Sequence, residues 1–507
     1  MEDGPGPQKG RVQLRRRLLA LLRMRTLIFG GRAFALPPFL RPHIAFAPRL
    51  CYTVRSVIRQ GGLFLERDLT RGSIRKGLVL FSLPLIAGNL LQQCYNIVDT
   101  WVVGRFLGSV ALAAVGSAFS LMTLLTSLLL GLCMGSGVVM SQLYGQGDRE
   151  GLRRAMGNAF VGIALAALAL AAAAFALLDS LMVWMRVPAE AVEDLRGYLQ
   201  IIFWGIGFTF LYNFFATALR SVGNSAAALW FLLCAAVMNI ALDLWFVTGL
   251  GWGVEGAALA TVIAQAASAA GIVVYSLLKM GDLRPGIRHL RPDGPLIRRI
   301  AVVSVLTGAQ QSIMNFGILM IQSLVNSFGV NVMAAFAAGV KIDAFAYAPA
   351  QDFANGFATF VAQNAGAGRA DRVRRGLREA AMMSLGFCAL VSAVVGIFAV
   401  PLLSIFIDPS QGDVMAVGVH YLRTEGLCYV GIGLLFLLYA TYRGLERAGM
   451  SIVLTVISLG LRVALAYWLA PSWGLDAVWW SIPIGWAAAD VTGLMALKHS
   501  MASLRTR

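Results

Sequence analysis

From Leu78 to its C-terminal end the chain alternates long apolar runs with short polar ones. A helix rises about 1.5 Å per residue, so a run of about 20 apolar residues crosses the hydrocarbon core of a bilayer. Twelve runs reach that length, at 78–103, 112–141, 155–183, 196–219, 226–248, 254–278, 298–327, 332–361, 377–405, 417–441, 450–470 and 475–497. The pattern predicts an all-α membrane protein with twelve transmembrane helices.

Composition agrees. Of 507 residues 58% are hydrophobic and 13% charged, with a mean hydropathy of +0.73, against roughly 45–50% and about 25% in soluble domains. The net charge of +17 would suit nucleic acid, but its placement speaks against that partner. Residues 1–76 hold sixteen Lys/Arg and four acids, or +12. Most of the remaining cations fall in alternate loops: Arg149, Arg153 and Arg154; Lys279 to Arg299; Arg369, Arg372, Arg374, Arg375 and Arg378; Arg443 and Arg447; then Lys498, Arg505 and Arg507. The intervening loops carry Asp179, Glu190, Glu193 and Asp194, then Asp408 and Asp413, then Asp476. Alternation of this kind is the positive-inside rule, and it puts both termini in the cytoplasm.

The leader, 1–65, is a separate question. "QLRRRLLALLRMRTLIFG" is rich in Arg and poor in acids, like a targeting segment, or like a basic helix lying on a membrane surface. No clean cleavage site follows, and Pro37, Pro38, Pro42 and Pro48 interrupt what comes next. The preferred expectation is a non-functional extension translated from a misplaced start.

The chain also repeats itself. "SQLYGQGDREGLRRA" from Ser141 resembles "AQNAGAGRADRVRRG" from Ala362, pairing Gln142 with Gln363 and Gly145 with Gly366 at an offset of 221. "ATALRSVGNS" resembles "YATYRGLERAG", with Arg220 on Arg443 at 223, and Asn239 of "MNIALDLWFV" falls on Arg462 of "LRVALAYWLA". "GWGVEGAALA" meets "SWGLDAVWWS", Gly253 on Gly474. Twelve helices therefore divide into two six-helix bundles, an N-lobe over 66–290 and a C-lobe over 291–507. Six is even, so the lobes are parallel, related by a pseudo-two-fold axis along the membrane normal. Transporters are built this way, with substrate between the halves.

The repeat isolates the chemistry. Asp99, in "NLLQQCYNIVDTWVVGRFLG", sits inside an apolar run, where an acid costs about 2.5–3.5 kcal/mol. Its repeat mate is Met320, and that of Asp243 is Ala466. Only the first lobe places acids on its first and fifth helices, an asymmetry that favours function over scaffold. Asn239 lies four residues before Asp243, on the same helix face. Asn213 and Thr261, on the fourth and sixth helices, can complete a polar group. Low dielectric disfavours charge, so such a group accepts a proton near neutral pH or coordinates Na⁺ through oxygens. Otherwise it is a helix-to-helix hydrogen-bond cluster.

Other chemistries find no footing. The cysteines (Cys51, Cys94, Cys133, Cys234, Cys388, Cys428) show no CxxC pairing and read as small buried hydrophobes. His43, His289, His420 and His499 have no ligand spacing. Neither an HExxH, GxSxG or paired-aspartate metal motif nor a GxxxxGK[ST] loop occurs, so neither an enzyme nor an ATP-driven pump is expected, and no cofactor.

Four stretches, "LPLIAGNLLQQCYNIVDTWVVGRFLG", "ALRSVGNS", "MNIALDLWFVTGLGWGVEGAALAT" and "KIDAFAYAPAQDFANGFATFVAQNAGAG", resemble the MATE (multidrug and toxic compound extrusion) family, nearest its DinF-like branch. The resemblance covers about 66–500. It implies twelve helices in two bundles around a central cleft, a monomer, and a multi-pass place in the bacterial inner membrane. It also implies export of organic cations and related toxic compounds by H⁺ or Na⁺ antiport. In DinF-like members an N-lobe cluster binds the coupling ion, and those positions match Asp99, Asn213, Asn239, Asp243 and Thr261. Another branch carries acids on its seventh and tenth helices. Here only Glu425 stands on the tenth, and none within the seventh.

Gln92, Lys341, Asp343, Gln351 and Asp352 are candidates for the cleft wall. Arg462, within the eleventh helix, calls for an acid such as Asp343 or Glu425. Pro84 and Pro349 predict kinks, since proline removes a helical hydrogen bond. A lipid-linked oligosaccharide flippase of the same superfamily is the alternative. It would line its cleft with several cations for pyrophosphate, whereas the candidates here are chiefly Lys341 and Arg462.

Overall fold

A computed structural model describes residues 68–184 and 189–502; the 1–65 extension lies outside them. Among the described residues secondary structure is helical throughout. The principal helices are α1 (Ile74–Phe106), α2 (Gly108–Gln146) and α3 (Arg149–Ala176), then α4 in two pieces (Val192–Trp204 and Ile206–Ser221). They continue with α5 (Ala226–Asp243), α6 (Gly253–Lys279), α7 (Gly294–Asn326), α8 (Val330–Gly366) and α9 (Ala370–Ile397). Then come α10, again in two pieces (Gly412–Gly426 and Tyr429–Gly444), α11 (Ala448–Trp473) and α12 (Leu475–Ala502). Nine of these cross a membrane by length and composition alone, and the two bent helices bring the count to eleven. α12, 28 residues long, is the twelfth principal helix among the described residues.

The helix ends obey local rules that the repeat preserves. α2 stops at Gly147, held at φ 76°, and the turn after α8 passes through its repeat mate Gly368 at φ 67°. Both are left-handed conformations that glycine adopts without steric cost. Asp148 then caps α3, its carboxylate accepting from Gly151 N at 2.8 Å. The two recorded breaks fall at repeat mates as well: α4 bends by 42° at Gly205, and α10 by 48° just after Gly426. Pro84 and Pro349 lie inside continuous helices, α1 and α8.

Each lobe has its own core. Phe203, Phe214 and Ala258 belong to the first, and Phe357, Tyr442 and Trp479 to the second. The lobes also interlock. Leu78 and Phe81, in the first turns of α1, pack into the C-lobe core, while Ile300 and Val303, in the first turns of α7, pack into the N-lobe core. These pairs are related at an offset of 222. The exchange occurs at the end of the bundle that carries Arg149, Arg153, Arg369 and Arg372, called here the basic end.

Candidate functional site

Between the lobes lies a cavity of about 560 Å³. The N-lobe contributes Gln92, Tyr95 and Asp99 from α1, Asn213 and Arg220 from α4, and Thr261 and Gln265 from α6. The C-lobe contributes Gln311, Asn315, Asp352, Asn355 and Arg443. A side pocket of about 120 Å³ enters the N-lobe past Gln92, Asn213, Asn239 and Thr261.

The five expected ion-coupling residues converge there. Asp99, Asn213 and Thr261 stand on the cavity wall, and Asn239 lines the side pocket. Asp243, fully buried, lies behind them at the last turn of α5. Asn239 Nδ2 donates to Thr261 Oγ1 at 3.3 Å, and Asn213 Nδ2 to the Thr209 carbonyl at 2.9 Å. The Asp99 and Asp243 carboxyls are close enough to interact electrostatically. Even so, Asp99 Oδ1, Asn239 Oδ1 and both Asp243 oxygens are buried without a donor among the described residues. Two carboxylates only accept, so one way to satisfy these atoms is a proton bound within the cluster. A hard cation held by oxygens is the other way to satisfy the same atoms.

Directly after Asp243 the backbone widens into a π-helix, Leu244–Gly249. Such turns concentrate at functional sites. No sequence signal announced this one.

The cleft-wall candidates divide. Gln92 and Asp352 line the cavity. Lys341, Asp343 and Gln351 are not among its lining residues. Lys341 is exposed, its ammonium 5.8 Å from the Phe406 ring centroid. Asp343 is buried inside the C-lobe, accepting from Tyr421 Oη at 2.5 Å and from Tyr429 Oη. Arg462 acts on both Asp343 and Glu425 across this interior cluster. Helix phase explains the division: Asp352 is nine residues after Asp343, two and a half turns, and so points to the opposite side of α8.

Arg443, read from sequence as a loop cation, instead lies in the last turn of α10, 5% exposed and on the wall of the cavity that its repeat mate Arg220 also lines. Cys94 and Cys234 are exposed rather than buried.

At the basic end the lobes are fastened by a pseudo-symmetric latch. Gln142 Nε2 donates to the Gly444 carbonyl at 3.0 Å, and Gln363 Nε2 to the Ser221 carbonyl at 2.8 Å. Donors and acceptors are both repeat mates, at offsets of 221 and 223. A Cβ on Gly145 would overlap the Gln363 backbone, and one on Gly366 the Gln142 backbone. Gly135 meets Ser304, and its mate Gly356 meets Ser82. Arg299 adds a bidentate pair with Glu446 (Nη2 to Oε1 2.6 Å, Nε to Oε2 2.9 Å) and donates to Gln142 Oε1 at 2.9 Å. The symmetry breaks one turn deeper: Gly131 lets α2 touch Gly308, but its mate is Asp352.

Two parallel, interlocked six-helix lobes around a polar cavity define the class, a multi-pass membrane transporter. The MatE family profile matches twice, over residues 84–245 and 307–468, and the chain belongs to that family, whose members are transporters rather than enzymes. The matches are themselves offset by 223, the spacing of the internal repeat. The chain is 30% identical over 395 residues to the probable multidrug resistance protein YpnP of Bacillus subtilis, covering 77% of this chain and 87% of that one. It is 26% identical to the probable multidrug resistance protein NorM of Thermotoga maritima over 67% and 73%. Its fold is similar to an outward-facing multidrug resistance MATE transporter of the MOP superfamily, with TM-score 0.81, 23% identity, and 87% and 99% coverage. A MOP superfamily transporter from Pyrococcus furiosus gives TM-score 0.81 at 24% identity over 86% and 98%.

Proposed function

We propose that the protein is a secondary exporter of organic cations and related toxic compounds, driven by H⁺ or Na⁺ antiport and cycling by alternating access between its lobes. One observation carries the reading: a cluster of buried, donor-less oxygens at Asp99, Asn239 and Asp243 adjoins the interlobe cavity. An ion bound there alters the lobe equilibrium to the extent that it binds the two states unequally. Placing the cluster wholly in the N-lobe agrees with the DinF-like branch. The basic end then faces the cytoplasm, with both termini, and the chain acts as a monomer in the bacterial inner membrane with lipid around it.

A flippase for a pyrophosphate-linked lipid is not adopted, because the cavity wall carries two arginines, Arg220 and Arg443, rather than the several cations expected for a pyrophosphate. The test is efflux of a fluorescent organic cation from vesicles under a pH gradient and a Na⁺ gradient, imposed separately. Efflux under one gradient, lost in Asp99→Asn, is the expected result; efflux indifferent to both gradients overturns the proposal.

A further inference from the structure

The linker between the lobes carries an apolar side chain that the protein leaves uncovered. Between α6 and α7 it makes a single 3₁₀ turn, Ile287–Leu290, and this turn is clipped to the side of α3. His289 is 4% exposed, its Nδ1 accepting from Gly286 N at 2.7 Å and its Nε2 lying 3.2 Å from Glu150 Oε1. Asn158 Nδ2 donates to the His289 and Arg291 carbonyls at 3.4 and 3.3 Å, and Asn158 Oδ1 accepts from Asp293 N at 3.1 Å. Gly157 leaves room for this backbone, since a Cβ there would lie 2.3 Å from the His289 carbonyl oxygen.

These contacts fix the depth of the turn. Arg154 is the last charged residue of α3, and the run from Ala155 to Ala176 carries none. At about 1.5 Å per residue that run is about 33 Å long, close to the thickness of the hydrocarbon core. Gly157 and Asn158 stand in its first turn, so the linker touches α3 where α3 enters the bilayer. There Ile287 is 89% exposed and Leu290 42%. One exposed isoleucine is ordinary on a soluble surface. This one is set among Arg284, Arg288 and Arg291, all exposed, in a stretch without an acid. The nearest acid to Arg288 Nη2 is Glu150, at 3.8 Å, a solvent-screened pair that holds the guanidinium weakly. An apolar tip between cations, at the level of the headgroups, suits a bilayer surface of negative charge.

We infer that Arg284–Arg291 is a lipid-binding anchor: Ile287 enters the leaflet at the basic end, and Arg284, Arg288 and Arg291 take the phosphates of acidic phospholipids. The inference is independent of the exporter reading, because it concerns the linker and not the cavity.

The experiment uses the full chain in nanodiscs of phosphatidylcholine, with or without phosphatidylglycerol. An environment-sensitive dye at Ile287→Cys, in a background without the native cysteines, should be quenched by doxyl groups on the acyl chains and shielded from aqueous iodide. The same dye at Asp282→Cys, where the side chain is 83% exposed, should show the reverse. The unlabelled chain in detergent is then titrated with fluorescent phosphatidylglycerol and phosphatidylcholine. Arg284→Gln, Arg288→Gln and Arg291→Gln should each weaken the preference for the acidic lipid about fivefold. Arg375→Gln, which removes an exposed charge from the other lobe, should leave it unchanged. Iodide reaching position 287 as freely as position 282 overturns the inference. Shielding without acyl-chain quenching would put a second copy of the chain on the turn and overturn it as well. A preference for phosphatidylglycerol that survives all three Gln substitutions together does the same.

Discussion

If the lobes part at the basic end during transport, Gln142→Ala should favour the parted state. The side chain accepts from Arg299 Nη2 at 2.9 Å and donates to the Gly444 carbonyl at 3.0 Å. A bond to a charged donor contributes about 2 kcal/mol and a neutral one about 1, so the substitution removes about 3 kcal/mol from the latched state. That is about a hundredfold in the latched-to-parted ratio. Gln363→Ala removes two neutral bonds, to the Ser221 carbonyl at 2.8 Å and from Leu69 N at 3.2 Å. Leu69 packs in the core of the C-lobe, the lobe that carries Gln363, so only the bond to Ser221 bears on the lobe equilibrium, about 1 kcal/mol or about fivefold. The Gln142–Gly444 and Gln363–Ser221 bonds exist only where the lobes meet, so their loss acts on the lobe equilibrium before it acts on folding. The assay is thiol labelling of Ser304→Cys, buried against Gly135, in a background without the native cysteines. Labelling from the basic side should accelerate by these factors until opening saturates, more for Gln142→Ala than for Gln363→Ala. A lowered Tm with unchanged labelling would refute the reasoning, since the glutamines would then hold the fold rather than a gate.

Asp99→Asn and Asp243→Asn should each abolish gradient-driven efflux, with the double variant no worse than either, because the two carboxyls belong to one buried cluster and repel each other when both are charged; multiplicative losses in rate would show two independent sites. Gly145→Val should accelerate the same thiol labelling, because its side chain would displace the Gln363 backbone, whereas Gly162→Val, facing open space, should leave it unchanged. A chain starting near Leu65 should insert and transport normally, and loss of transport alone would reveal a working role for residues 1–65. Removal through Gly72 should lower Tm, since Asn364, Arg369 and Arg372 all donate to carbonyls between Leu69 and Gly72; an unchanged Tm would show that this strap adds nothing.

Much of the architecture was legible in the chain. Membrane insertion is decided segment by segment, so windows of about twenty residues suffice to find the spans. The two halves descend from one pattern, so their repeat is visible as offsets of 221 to 223, from Gln142 and Gln363 to Arg220 and Arg443. Intramembrane acids are expensive enough to stand out, which exposed Asp99 and Asp243. Helix bends were less legible. Proline advertises a bend through its missing N–H, but the recorded breaks use Gly205 and Gly426, whose only signal was that they are repeat mates.

By itself, then, the sequence determined the class of fold and the parallel two-lobe repeat and singled out Asp99, Asp243 and the adjacent Asn239, because each depends on local hydropathy or on comparing the chain with itself; Asn213 and Thr261 joined them through the family resemblance. Which polar side chains share a cavity was decided only in three dimensions. Residues 343 and 352 of α8 carry the same acid, yet one is enclosed by Tyr421 and Tyr429 and the other lines the cleft. Arg443 looked like a loop cation and is a buried wall residue, while Lys341 looked like a wall residue and is exposed outside it. The physical reason is that a side chain's surroundings depend on helix rotation and on partners hundreds of residues away. Ser221 meets Gln363, and Gln142 meets Gly444, only once both lobes have formed and interlocked.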